Sequence, residues 1–200
     1  MNYDQAMTQI INGQSGRPTL LLHSCCGPCS SAVLERLSPH FNITLLYYNP
    51  CIHPREEFEH RLAEQKRLIA EMPLPGAVNL VVPPYEPETF FAAVKGLEEE
   101  PEGGRRCRVC FEQRIGFTAR MAAEQGFDYF ATTLTVSPHK NAVVINEVGS
   151  SAALPPAVWL PSDFKKQNGY LRSLQLSQTY GLYRQNDCGC IFSKRKEVSL

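Results

Sequence analysis

The chain has 200 residues, and its 20 Lys and Arg balance its 20 Asp and Glu to a formal net charge of zero. That length can bury a core in a single domain without disulfides, and a neutral chain carries no overall basic field that would announce nucleic acid. No apolar run is long enough to span a bilayer, Met1–Gly16 lacks the apolar stretch of a signal peptide, and eight cysteines are too few for a disulfide scaffold of this size. Together these features point to the cytoplasm, where thiols stay reduced.

Residues 1–16 read as an N-terminal arm, a weak helix or a disordered segment, ahead of one α/β domain at 17–200. The first predicted strand is Thr19–His23, and Ser30–Leu37 opens the first domain helix. Asn42–Tyr48 is largely apolar, as a strand buried on both faces should be. Asn49-Pro50 ends it, and His53-Pro54 opens a long helix with Phe58, Leu62, Leu68 and Ile69 at roughly helical spacing. A third strand at 77–82 closes at Pro83-Pro84, a short helix follows at 86–95, and the acidic run 98–104 ending in Gly103-Gly104 reads as a surface linker. Arg105–Gln125 forms a long helix that turns Ile115, Phe117 and Met121 inward and stops at Gly126. Phe127–Thr133 is the fourth strand. Ser137 or Pro138 opens a helix whose core stripe is Val143, Val144, Ile145 and Val148. Trp159–Phe164 is extended, Gly169–Tyr180 is the last helix, and Tyr183–Phe192 is a tail. Strands alternating with helices predict a parallel sheet wrapped by helices through right-handed crossovers.

The cysteines fall into Cys25/Cys26/Cys29, Cys107/Cys110 and Cys188/Cys190, with Cys51 alone. Clustered cysteines without a secretory signal indicate metal, cluster or redox chemistry. Three of them stand in His23-Ser24-Cys25-Cys26-Gly27-Pro28-Cys29-Ser30, on the turn from the first strand to the first helix. In an open α/β sheet that turn is where ligands bind, and a helix N-terminus favours an anion such as a thiolate. Adjacent cysteines seldom reach disulfide geometry but make good ligands; the blander alternative is that they are packed as small apolar groups. Cys107-x-x-Cys110 opens a helix and sets two sulfurs toward one ion. The pairs Cys25/Cys26 and Cys107/Cys110 can supply the four thiolates of a [4Fe–4S] cluster. A four-cysteine zinc site competes, but Cys25-Cys26 does not resemble a zinc knuckle, and the pattern favours the cluster. Cys188-Gly189-Cys190 can close a strained disulfide ring that holds and releases two electrons, or supply two more metal ligands, or lie in a floppy tail.

The loops after the second and fourth strands carry Asn49, His53, Ser137 and Lys140, which could meet polar groups of a substrate; singly, Asn-Pro and Ser-Pro also serve as turn and cap chemistry. His23 and His60 read as structural histidines. Cations gather at Arg105/Arg106/Arg108, Lys165/Lys166 and Lys194/Arg195/Lys196. With nearby tyrosines they suit an RNA stem-loop with splayed bases, or an ordinary surface.

Six blocks in order resemble the QueH family of epoxyqueuosine reductases, over about Pro18 to Ser193. They are LLHSCCGPCS at 21–30, YYNPCIHP at 47–54, RCRVCFEQR at 106–114, TTLTVSPHKN at 132–141, SDFKK at 162–166 and LYRQNDCGC at 182–190. The resemblance implies an adenine-nucleotide-hydrolase-like, Rossmann-like α/β fold with the nucleotide loop replaced by the double cysteine. It implies reduction of epoxyqueuosine to queuosine at the wobble position of tRNA. It further implies a [4Fe–4S] cluster on Cys25, Cys26, Cys107 and Cys110, a redox-active disulfide between Cys188 and Cys190, and a second, mononuclear metal near the cluster. Cys29 is placed to help bind that metal, and iron suits it because only iron, not zinc, changes valence. Two positions depart from the family pattern: Cys51, where Asn is more usual, and Asp187, where an aromatic precedes the cysteine. Cys51 is given no role. An electron donor must exist, and the sequence does not identify it. A zinc-stabilised, non-catalytic RNA-binding module is the rival from another class. An ATP-dependent tRNA-thiolating enzyme would need a Ser/Gly-rich phosphate loop that Cys25-Cys26-Gly27-Pro28 does not provide.

Overall fold

The computed structural model describes residues 2–193; the basic stretch Lys194/Arg195/Lys196 lies outside the described residues. Its centre is β1 (Thr19–His23), which pairs in parallel with β2 (Asn42–Leu46) on one side and β4 (Tyr129–Thr132) on the other. β3 (Asn79–Val81) and β5 (Val158–Trp159) complete an all-parallel sheet in the order β3-β2-β1-β4-β5. Along β1, Leu20 and Leu22 enter one apolar layer and Leu21 the other. Burial on both faces is why this strand is a continuous apolar run and not an alternating one.

Helices cover both faces, as the alternation predicts. α1 (Tyr3–Gly13), α2 (Gly27–Leu37), α3 (Arg55–Glu71) and α7 (Gly169–Thr179) bring Met7, Leu34, Leu68 and Leu176 to one layer. α5 (Arg105–Glu124) and α6 (Ala142–Ala152) bring Ile115, Ala119, Ile145 and Val148 to the other, and α4 (Pro87–Ala93) lies toward the edge against α5. The chain winds from β1 outward to β3 and returns to lay β4 on the free side of β1. Strand order reverses there, which opens a crevice beyond the carboxyl ends of β1 and β4. This layout is consistent with the adenine-nucleotide-hydrolase-like architecture. Among the described residues, no helix is long and apolar enough to cross a membrane.

The N-terminal arm is helical over Tyr3–Gly13, and it is docked: Met7 is fully buried, and Asp4 pairs with Arg36 of α2 at 2.7 Å. α6 begins at Ala142 and not at Ser137, because Thr133–Val136 first make a turn of 3-10 helix and the Asn141 side chain then caps α6 through the Val143 N–H at 2.9 Å. Val143 is half exposed and leaves the expected core stripe to Ile145 and Val148. α2 starts three residues earlier than the predicted helix, at Gly27. That places Cys26 on its N-cap.

Candidate metal and redox site

The double cysteine stands where β1 gives way to α2. Cys26 is extended at the N-cap, and its Sγ accepts a hydrogen bond from the Cys29 N–H at 3.3 Å, the role a Ser or Asp oxygen plays in most helices. One turn of helix with Pro28 near its start then lifts Cys29 over the cap. The Sγ atoms of Cys25, Cys26 and Cys29 all lie within 4.8 Å of one another. Polar groups fix this turn from behind. Gln65 of α3 accepts from the hydroxyls of Ser24 and Ser30, each at 2.7 Å, and Asn49 donates to the Ser24 carbonyl at 2.8 Å. His23 is fully buried, with Nδ1 at 2.8 Å from the Thr132 hydroxyl and Nε2 at 3.1 Å from the Tyr48 carbonyl. Burial, aided by Arg114, lowers its pKa to about 4. A neutral imidazole with both nitrogens engaged is a structural histidine, as expected. His60 stacks on Tyr183 at 4.2 Å on the surface.

The three thiols pull one another's acidities apart. Hydrogen bonds from Cys26 and Cys29 hold the Cys25 thiol well below its ordinary range, helped by the charges of Lys140 and Arg114. Burial pushes Cys26 up to about 12, and hydrogen bonding to Cys25 and Cys26 raises Cys29. Three soft donors converging at a helix N-terminus, one of them easily ionised, fit a thiophilic metal ion or an iron–sulfur core, whose binding would release the thiol protons.

Cys107 and Cys110 are not part of that trio. The Cys107 Sγ accepts from the Gly103 N–H at 3.2 Å. Cys110 is buried beside Cys51: their hydrogen bond lowers the Cys51 thiol to about 7 and raises Cys110. Cys51, to which the sequence assigned no role, thus lies in the same group. Both cysteines of the Cys-x-x-Cys pair line a cavity of about 200 Å³ together with Cys188, Cys190, Arg114 and Lys140. Arg114 follows Cys110 by one helical turn and donates to its carbonyl at 3.2 Å. It is buried, which works against its charge, yet the sulfurs of Cys110, Cys51, Cys25 and Cys188 outweigh that cost.

The tail brings the last pair to the same crevice. Cys190 bridges to Ile52 in antiparallel fashion, and the His53 N–H donates to the Gly189 carbonyl at 2.9 Å. Asp187 accepts from the Gly189 N–H at 2.6 Å and lies 3.6 Å from Arg61 of α3, which also pairs with Glu57 at 2.7 Å. Cys188 and Cys190 are free thiols, so no disulfide closes the Cys-Gly-Cys ring here. A hydrogen bond from Cys190 holds Cys188 well below its ordinary range, and Cys190 is raised in return. Of the two, Cys188 is the thiol more readily ionised.

A second cavity of about 440 Å³ joins these parts. Cys25, Cys29 and Cys188 form its wall on the sulfur side, and Lys140, Tyr170 and Arg184 line it elsewhere. Much of the charge that the sequence grouped into basic patches is used internally. Arg106 is buried and donates to the carbonyls of Leu97, Glu98 and Glu100. Arg105 pairs with Glu100 at 2.7 Å, Arg108 with Glu112 at 3.0 Å, and Lys165 with Asp163 at 2.6 Å. Asn49 is buried as a brace, and the Ser137 hydroxyl accepts from the His139 N–H at 3.3 Å. Of the four polar loop residues, Lys140 is the one that lines both cavities. Sequence reasoning missed Arg114, Gln65 and Arg61. For Arg114 a signal existed, because it stands four residues after Cys110 and therefore on the same helix face.

A family model described as "Epoxyqueuosine reductase QueH" matches residues 20–196. The chain is 43% identical over 203 residues to the epoxyqueuosine reductase QueH of Streptococcus pyogenes serotype M1, covering 98% of this chain and 80% of the relative. It is 42% identical over 205 residues to that of Staphylococcus epidermidis, covering 98% and 86%. It is 32% identical over 182 residues to that of Thermotoga maritima, covering 88% and 90%.

Proposed function

The chain belongs to the QueH family of epoxyqueuosine reductases and is an oxidoreductase, and from that premise we propose that it reduces epoxyqueuosine to queuosine at the wobble position of tRNA. The observation that carries this reading is the 440 Å³ cavity at the strand-order switch, walled by Cys25, Cys29 and Cys188. Redox-active sulfur there meets a space large enough for a modified nucleobase. Removing an epoxide oxygen to leave an alkene takes two electrons and two protons, and water leaves.

We assign a [4Fe–4S] cluster to Cys25, Cys26, Cys107 and Cys110, and a second, mononuclear iron to a site that includes Cys29. What supports the assignment is the chemistry of the donors: a converged trio of thiols, and a Cys-x-x-Cys pair that lines a cavity with Arg114, the arginine that also neighbours Cys25. When bound, such iron centres supply electrons singly and Lewis acidity toward the C–O bond. The chain's own residues do the rest. The cavity takes in the substrate ring and orients it. Lys140 remains protonated beside the sulfurs and can hold a developing oxyanion. The Cys188/Cys190 dithiol stores an electron pair and releases it on closing to a disulfide, so a single substrate molecule can be served before the external electron donor returns. The substrate is bound as tRNA in the cytoplasm, with the wobble base unstacked into the cavity.

A specific observation also favours a smaller centre. The trio of Cys25, Cys26 and Cys29 is by itself a mononuclear thiolate site, and zinc there without iron would give a colourless protein. The deciding experiment is purification without oxygen. The cluster reading expects a brown protein with at least about four irons per chain that converts epoxyqueuosine-tRNA to queuosine-tRNA when given a reductant. Colourless protein with stoichiometric zinc would favour the smaller centre, and failure to turn over with iron in place would overturn the activity.

A further inference from the structure

We infer that Arg114 and Lys140 are the counter-ions of the thiolate site and that their charges set how readily it accepts an electron. The inference rests on the iron–sulfur reading above and goes beyond it by naming what poises the site.

A buried cation needs an anion. Arg114 is only 4% exposed, and among the described residues no carboxylate lies within ion-pair distance of it. Its Nε–H is spent on a carbonyl of its own helix, its guanidinium lies 5.9 Å from the Phe111 ring, and it lines both cavities beside Cys25, Cys110 and Cys188. Lys140 lines both cavities and likewise has no carboxylate partner among the described residues. The contrast with Arg61 is informative. Arg61 lines the larger cavity too, but it pairs with Glu57 at 2.7 Å and lies 3.6 Å from Asp187. Of the carboxylates around that cavity, Asp187 is therefore already taken, and Glu102 pairs with neither Arg114 nor Lys140. In a chain whose charges balance overall, two cations have been left facing sulfur. Four thiolates outweigh the positive charge of a cubane core, so the assembly is an anion, and each electron added makes it more so. Fixed positive charge next to it stabilises the reduced form more than the oxidised one. Net charge and hydrogen bonding are the levers by which a protein tunes such a centre.

The test is a reductive titration of anaerobically purified protein followed by electron paramagnetic resonance, with iron content measured on the same samples. Arg114→Gln and Lys140→Gln are expected to hold wild-type iron but to be reduced at least tenfold less favourably, which is a midpoint about 59 mV more negative for a one-electron couple. Arg114→Lys and Lys140→Arg keep the charge and are expected to stay within threefold of wild type. Should Arg114→Gln fail to fold, Lys140, less buried than Arg114, carries the test. Lys140→Gln with full iron and an unmoved midpoint overturns the inference. So does loss of iron from Lys140→Gln that Lys140→Arg restores, since the lysine would then hold the centre and not poise it. A wild-type protein that takes up no iron sinks the iron–sulfur reading itself, an outcome distinct from iron-loaded variants with unchanged midpoints.

Discussion

The backbone of Gly189 lies against the guanidinium of Arg61, so close that a Cβ at position 189 would stand 3.1 Å from its Cζ and both terminal nitrogens. Gly189 also has φ +86°, in the left-handed region. Both facts require glycine between the two tail cysteines. They explain how a segment with little regular structure is pinned over α3: Arg61, buried through its pairs with Glu57 and Asp187, is the floor on which the Cys-Gly-Cys turn rests.

Gly189→Ala is therefore expected to lift the tail. The left-handed conformation alone costs a residue with a Cβ about 1–2 kcal/mol, and the contact with Arg61 adds to it. Turnover should fall while iron content stays at the wild-type level, and Cys188 should be alkylated faster by iodoacetamide. Unchanged alkylation and turnover would show that the tail is not held by this contact.

Cys188→Ser and Cys110→Ala are expected to fail in different ways. Cys188 bonds to Cys190 and Ser193 and belongs to the proposed electron store, so its serine variant should keep its iron and colour but lose sustained turnover. Cys110 is assigned as a ligand, so its alanine variant should lose visible absorbance. Equal loss of iron from both variants would put the tail in the ligand set.

The sheet was legible because burial on both faces leaves unbroken apolar strands such as Leu20-Leu21-Leu22, and the site was legible because Cys25-Cys26 interrupts the chain at the strand-to-helix turn. What stayed hidden was polar and buried. Arg61, Gln65 and Arg106 look like solvent-facing helix residues: Glu57, four residues before Arg61, makes an ordinary helix-surface pair, and only the tertiary structure supplies Asp187 and the hydroxyls and carbonyls that meet Gln65 and Arg106. The same holds for the sulfurs. Spacing groups Cys107 with Cys110, but the contact between Cys110 on α5 and Cys51 in the turn after β2 joins elements far apart in sequence.

Acid should loosen the start of the sheet through Asp128. Its carboxylate accepts from the Thr19 N–H and hydroxyl, each at 2.8 Å, tying β4 to β1. These bonds lower its pKa below the ordinary 3.8. A depressed carboxylate contributes stability that is present above its unfolded value and lost as pH falls through the folded one. Asp128→Asn should cost about 1 kcal/mol at neutral pH and make the acid limb of a thermal-melting profile shallower below pH 4. Parallel profiles for the two proteins would remove this link from the account of acid stability.

Contact with tRNA should depend on Arg184 more than on the basic stretch at the start of α5. Arg105 and Arg108 already face Glu100 and Glu112, and Arg106 is buried, so that stretch has little charge to offer a phosphate. Arg184 is exposed, lines the 440 Å³ cavity and sits over the Tyr170 ring at 6.0 Å, steadied by a hydrogen bond to the Ser177 hydroxyl at 3.1 Å. A guanidinium poised on an aromatic face at the cavity suits a phosphate next to an unstacked base. Arg184→Glu is expected to weaken tRNA binding and to flatten the dependence of log affinity on log salt by about one unit, with iron content unchanged. Arg108→Gln, whose cation is already neutralised, should leave the slope where it is. Affinities measured across a series of salt concentrations decide the matter. If Arg184→Glu binds as wild type does, or if Arg108→Gln loses as much, tRNA approaches the sulfur site by a different face.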